Sequence, residues 1–306
     1  MADIATQEKA IRIAVIGDVH NQWDEQDNAA LYSLNLDLAL FVGDFGNEAV
    51  DVVRTIARLT MPKAAIFGNH DAWYTATPWG QRKCPYDRTK EDWVQQQIEL
   101  LGEAHVGYGK LDLPTLNLAV VGGRPFSWGG PEWRNKTFYQ ERYGVQNFDE
   151  SIQRLKQVVD AATYETLIFI GHCGPTGLGD HPESPCGRDW EPIGGDFGDP
   201  DLTAAIAYAQ AMGKTVPLVT FGHMHHGLRH RKDRQRERLS RNATTVYLNA
   251  ACVPRIIKTE ATRRRNFSIV TLQQGKVKQA ELVWVDDTLT VVQRENLIAP
   301  ALAPIA

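Results

Sequence analysis

Five times along the chain a short apolar run ends at or near a glycine and is followed at once by residues that bind metals. The segments are IRIAVIGDVH (11–20), LDLALFVGDFGN (36–47), AAIFGNHD (64–71), TLIFIGHCG (166–174) and PLVTFGHMHH (217–226). Runs of this length, rich in Val, Ile and Phe, read as buried strands. Helical stretches are expected between and around them at 25–35, 47–60, 89–101, 149–163 and 201–212. Alternating strands and helices imply an α/β fold with a largely parallel core. Loops leaving the carboxyl ends of such strands form sites. Five loops should therefore bring their Asp, His and Asn side chains to one edge.

Farther along, 244–253, 266–285 and 288–293 read as strands, with QQGK as a hairpin turn. They are expected to form a second, mixed or antiparallel sheet. No linker divides the 306 residues, so one domain over 1–306 is expected. Loops 72–92, 123–148 and 174–200 are rich in Gly, Pro, Trp and Tyr and suit a cap. The Pro/Ala-rich tail 296–306 is expected to fray.

Composition narrows the function classes. A net charge of -4 gives no global basic field for nucleic acid. Four widely spaced cysteines with no C-x-x-C pair argue against a disulfide framework and fit a reducing cytoplasm. Neither a signal peptide nor a membrane span is read.

Imidazole and carboxylate together suit a borderline divalent metal. Candidate donors are Asp18, His20, Asp44, Asn69, His172, His223 and His225, with His70 and Asp71 beside them. In an extended backbone, residues two apart point the same way, so His223 and His225 can act together while His226 faces elsewhere. Any one such segment is weak; five are hard to explain by packing, since buried Asp and His are costly unless paired or metal-bound. Seven donors exceed the needs of one tetrahedral ion and fit two metals that share a carboxylate.

The ordered set D-x-H, G-D, G-N-H-D, G-H, G-H-x-H resembles the calcineurin-like metallophosphoesterase superfamily from Ile11 to about Cys252. GPTGLG after His172 and the CGRDW…GGDFGDPDL loop resemble a cyanobacterial and plant chloroplast-type subgroup. The resemblance implies two mixed β-sheets packed as a sandwich, flanked by helices, with a dimetal site at one edge. It implies that Asp18, His20 and His225 hold one metal, that Asn69, His172 and His223 hold the other, and that Asp44 bridges them. It implies that His70 contacts the phosphate or leaving oxygen, with Asp71 orienting its ring. The two ions would be Mn, Fe, Zn or Ni. The expected reaction is hydrolysis of a P–O ester bond by hydroxide carried on the metals. GDFGNEAV lacks the Asp-Arg pair of protein Ser/Thr phosphatases, and Asn47 stands where purple acid phosphatases carry a tyrosine.

Arg124 in the basic-aromatic loop 122–144, Trp73 and His226 are expected to touch substrate. That loop suits a nucleotide-like diester slightly better than a monoester; its alternative is a self-packed satellite core. The basic stretch 229–242 reads either as a solvated loop or as a nucleic-acid platform. A metal-binding interaction scaffold without catalysis is the remaining alternative. Asn249 receives no role.

Overall fold

The computed structural model describes residues 9–260 and 262–298. One seven-stranded sheet contains β1 (Ile11–Ile16), β2 (Leu38–Phe41) and β3 (Lys63–Ala65). The other sheet contains β4 (Lys110–Leu113), β5 (Leu118–Gly122), β6 (Thr166–Ile170), β7 (Thr215–Phe221), β8 (Leu239–Arg241) and β9 (Val246–Asn249), in the order β4-β5-β6-β7-β9-β8. The later strands are β10 (Ile256–Lys258), β11 (Arg263–Gln273), β12 (Lys276–Asp286) and β13 (Val291–Asn296).

These last strands correct the expected partition. β11 pairs antiparallel with β1, which completes the first sheet as β13-β12-β11-β1-β2-β3, with β10 beside β11. The second sheet comes instead from β4 to β9, so the five metal-type loops divide three and two between the sheets. The hairpin itself forms as expected: Gln273 pairs with Lys276, and Gln274 and Gly275 both have positive φ. Two left-handed central residues are what a tight turn between twisted strands requires.

The apolar runs are continuous because each sheet is covered on both faces. In β1, Ile13 and Val15 point between the sheets, where they join Leu38, Leu40, Ile168, Leu218 and Val270. Ala14 and Ile16 point the other way, toward Leu31 of the helix Glu25–Ser33 and Val53 and Ile56 of the helix Val50–Ala57. In β6, Leu167 and Phe169 pack on Leu155 of the helix Phe148–Asp160 and Leu202 and Ala205 of the helix Pro200–Ala211. The result is helices, sheet, sheet, helices. Most of the tail expected to fray lies outside the described residues.

Arg124 is a buried strut of this fold, which corrects its expected substrate role. It is 3% exposed. Its guanidinium donates to Asp201 at 2.9 Å and Asp199 at 2.6 Å, and it lies over the rings of Trp133, Tyr139 and Phe148. The basic-aromatic loop is thus pinned to the start of the helix Pro200–Ala211. Burial pushes the Asp199 carboxyl up to about 7 against the pull of Arg124. Removing the cation leaves two buried carboxylates facing each other. Arg124→Met is expected to destabilise the fold by about 3–5 kcal/mol, measured as a fall in the urea midpoint at neutral pH.

Candidate metal centre and cleft

Three β-strand ends of one sheet and two of the other meet at a common edge. Asp18 and His20 follow β1, Asp44 follows β2, Asn69 and His70 follow β3, His172 follows β6, and His223 and His225 follow β7. Their backbones depart from strand geometry there: φ is +52° at Asp18, +45° at His20, +54° at Asp44 and +66° at His223. Left-handed backbone is uncommon outside glycine and persists only where neighbours enforce it. Here the loops enforce one another. The Asp18 N–H donates to the Gly43 carbonyl, the His20 N–H to the Asp44 carbonyl, and the His223 N–H to Asp18 Oδ2. His223 and His225 converge through this turn, not through the extended backbone expected. Gly68 is needed for the close approach: a Cβ there would stand 2.3 Å from Asp44 Oδ1 and 2.6 Å from His172.

The donor atoms form two overlapping groups joined by Asp44. In the first, Asp18 Oδ1 lies 3.8 Å from His20 Nε2 and 3.2 Å from His225 Nε2, and the two imidazole nitrogens are 3.1 Å apart. In the second, His172 Nε2 lies 3.3 Å from Asp44 Oδ1, 3.0 Å from Asn69 Oδ1 and 3.2 Å from His223 Nδ1. The other oxygen of Asp44 lies 4.0 Å from His20 Nε2. One carboxylate therefore presents an oxygen to each group.

These residues fit two cations. His172 Nδ1 donates to the Val42 carbonyl at 2.8 Å, which leaves Nε2 facing acceptor atoms on three sides. Buried Asp18 Oδ1 makes no well-oriented hydrogen bond. Burial disfavours a charged imidazole at His172, yet the adjoining Asp44 carboxylate outweighs it and lifts the pKa to about 10. Burial, together with the positive charge of His172 beside it, pushes His223 down to about 3. Burial opposes ionisation of Asp44, but the charge and hydrogen bond of His172 hold it well below the usual range. The acceptor-lined position in front of His172 Nε2 is thus one that a positive charge suits.

His70 borders both Asp44 and His20, a ring nitrogen lying within 4.8 Å of their donor atoms. Asp71 is placed differently from expectation. Its carboxylate accepts the backbone N–H groups of Asp44, Phe45 and Gly68 and so braces the loops, while burial and the Asp44 charge raise its pKa. Asn47 is the partner on the His70 ring, with Oδ1 2.6 Å from Nδ1. In the sequence Asn47 stands out only as the third residue after Asp44, and nothing in the local pattern announces its contact with His70.

A cleft of about 440 Å³ opens over the cluster. Trp73 lies flat against His70, with ring centroids 4.8 Å apart, and stacks on Trp128 at 5.5 Å. Trp190 lines the cleft with the Arg229 guanidinium 5.4 Å from its ring centroid. Arg134 and Arg236 also line it. Of the expected substrate contacts only Trp73 borders the cleft. His226 does not: it is buried, with Nε2 on the Asn249 carbonyl at 3.0 Å, because it points into the base of its loop.

The basic stretch is largely neutralised by internal pairing. Arg231, Arg234 and His230 converge on Glu183, Arg238 pairs with Glu295, and Arg236 is buried against Asp189. Asn249, left without a role by the sequence, donates to the carbonyls of Met224 and Pro185. Among the described residues no helix is long and apolar enough to cross a membrane.

Residues 11–227 match the family described as calcineurin-like phosphoesterase. Solved structures with a similar course include a protein of Thermus thermophilus, at 11% identity and TM-score 0.48, covering 95% of this chain and 100% of that one. A dimetal phosphatase from Danio rerio gives 13% identity and TM-score 0.45, covering 94% of this chain and 98% of that one. A purple acid phosphatase from yellow lupin (Lupinus luteus) seeds gives 12% identity and TM-score 0.45, covering 98% of this chain and 58% of that one. No match was found among curated proteins.

Proposed function

The chain belongs to the calcineurin-like phosphoesterase family, a metal-dependent class of phosphoric ester hydrolases, and on that footing we propose that it cleaves a phosphodiester in a nucleotide-like substrate. Asp18, His20 and His225 would hold one divalent ion, Asn69, His172 and His223 the other, with Asp44 shared between them. His and Asp donors suit Mn, Fe, Zn or Ni. When bound, such a pair supplies Lewis acidity to phosphoryl oxygens and lowers the pKa of water.

The remaining chemistry falls to side chains of the chain itself. Asn47 Oδ1 accepts a hydrogen bond from His70 Nδ1–H, which leaves Nε2, when protonated, to donate to a phosphoryl oxygen or the departing ester oxygen. Trp73 fixes the plane of that ring by stacking. Asp71 holds the Asp44 and Gly68 backbones at the spacing the donors need.

The observation that carries the substrate reading is the aromatic and cationic lining of the cleft over the cluster. Trp73 stacks on His70 and Trp128 on Trp73, while Trp190 with Arg229 lines the same cleft as His223 and His225. Aromatic faces stack bases and guanidinium groups pair with phosphate oxygens, and several such surfaces in one cleft suit a phosphorus with more than one organic substituent.

The test is kcat/KM for bis-p-nitrophenyl phosphate beside p-nitrophenyl phosphate, with a dinucleotide as the natural-type diester and manganese added. Preference for the diesters supports the proposal; preference for the monoester overturns it and leaves a phosphomonoesterase. Trp128→Ala is expected to raise KM for the dinucleotide about tenfold, the size of one lost stacking contact. Metal content should stay unchanged, as checked by elemental analysis of the same sample.

A further inference from the structure

Two buried side chains tie the loop that carries His225 to the loop that borders the cleft. Arg236 is 3% exposed. Its Nε donates to the His225 carbonyl at 3.0 Å. One terminal nitrogen donates to the carbonyls of Pro182, Ser184 and Gly187 at 2.9, 2.8 and 2.7 Å. The other lies 3.3 Å from the Asp189 carboxylate. Asn249, at the end of β9, repeats the pattern. Its amide nitrogen donates to Met224 at 2.8 Å and Pro185 at 3.2 Å, and its oxygen accepts from the Ala251 N–H. Segments 182–189 and 224–225 thus share the same two donors. The segment continues directly into Trp190, which lines the cleft, and Asp189 also accepts the Arg229 N–H at 2.8 Å.

A buried guanidinium with this many acceptors cannot release one loop and keep the other without leaving donors unpaired. Displacing 182–190 would therefore shift the His225 backbone, and fixing the His225 ring on a cation would hold 182–190. We propose that Arg236 and Asn249 are positioning residues that couple metal capture by His225 to seating of the 182–190 loop beside the cleft. The inference rests on the dimetal reading. Coupling of this kind is reciprocal: a ligand held against Trp190 tightens metal binding as much as metal tightens that ligand.

Hydrogen exchange read by mass spectrometry tests this on the full chain, metal-free and then saturated with Mn²⁺. In the wild type, Mn²⁺ at about ten or more times its Kd is expected to slow exchange about tenfold or more both at the ligand loops 68–71 and 222–226 and at the non-proline amides of 183–190. Arg236→Met is expected to retain slowing at 68–71, to lose it at 183–190, and to bind one of two Mn²⁺ ions about 10–100-fold more weakly by calorimetry. Arg236→Lys is expected to recover part of both effects.

Slowing at the ligand loops without slowing at 183–190 in the wild type overturns the coupling. Slowing at 183–190 that survives Arg236→Met overturns the role of Arg236. Should that variant not fold, the wild-type comparison and Asn249→Ser decide. Absence of Mn²⁺ binding to the wild type overturns the dimetal reading as well, and is distinguished by unchanged exchange in every ligand loop.

Discussion

Asp44→Asn is expected to lower turnover of any phosphoester by about 10³-fold, a loss of ~4 kcal/mol in transition-state stabilisation. The substitution keeps the shape of the side chain and one acceptor oxygen. The backbone N–H of His70, which donates to Asp44 Oδ1 at 2.9 Å, keeps its partner. What disappears is the negative charge between the two donor groups and the second anionic oxygen, 4.0 Å from His20. Two divalent ions held close together repel, and a shared carboxylate offsets that repulsion. Metal content measured by elemental analysis should therefore fall from two ions per chain toward one, in parallel with the loss of turnover. Two ions retained at normal affinity would show that Asp44 is not the shared ligand.

His70→Ala is expected to behave differently, with kcat falling about 10²–10⁴-fold, the usual range for a general acid or base, while metal content stays at two. The discriminating quantity is the leaving group. A departing p-nitrophenolate needs little help from a proton donor, whereas a ribose hydroxyl needs a great deal. The loss should accordingly be larger for a dinucleotide than for bis-p-nitrophenyl phosphate. Equal losses on both would place His70 in phosphate binding instead. Asn47→Ala should lower kcat in the same direction by about tenfold, because it removes the hydrogen bond that sets the ring's tautomer and plane.

The donor set was legible because metal ligation needs rare residue types at strand ends, and apolar runs make strand ends easy to see. Asp18, His20, Asp44, Asn69, His172, His223 and His225 each follow such a run, and the structure brings all seven together. Arg124 misled because its sequence neighbours are aromatic and basic. Its actual partners, Asp199 and Asp201, lie in another segment, and no local pattern announces a buried ion pair. His226 misled in the same way: its burial depends on the Asn249 carbonyl from a neighbouring strand. Arg236 was hidden inside a basic stretch that reads as solvated.

Local pattern by itself marked β1, β2, β3, β6, β7, β9 and the late hairpin, the turn at Gln274–Gly275 and the residue types that meet at the site, because each rests on residue type and spacing within a few positions; β4, β8 and β10 carry no such signal. Tertiary structure alone decided three further matters. β11 chose the edge of β1, which sent the late strands into the first sheet and not a second one. Asn47, and not Asp71, came to rest on His70. Arg236 and Asn249 turned inward to join two loops. Each of these is settled by a hydrogen bond or ion pair between segments distant in sequence, and such pairings depend on which buried polar groups remain unpaired once the sheets have packed.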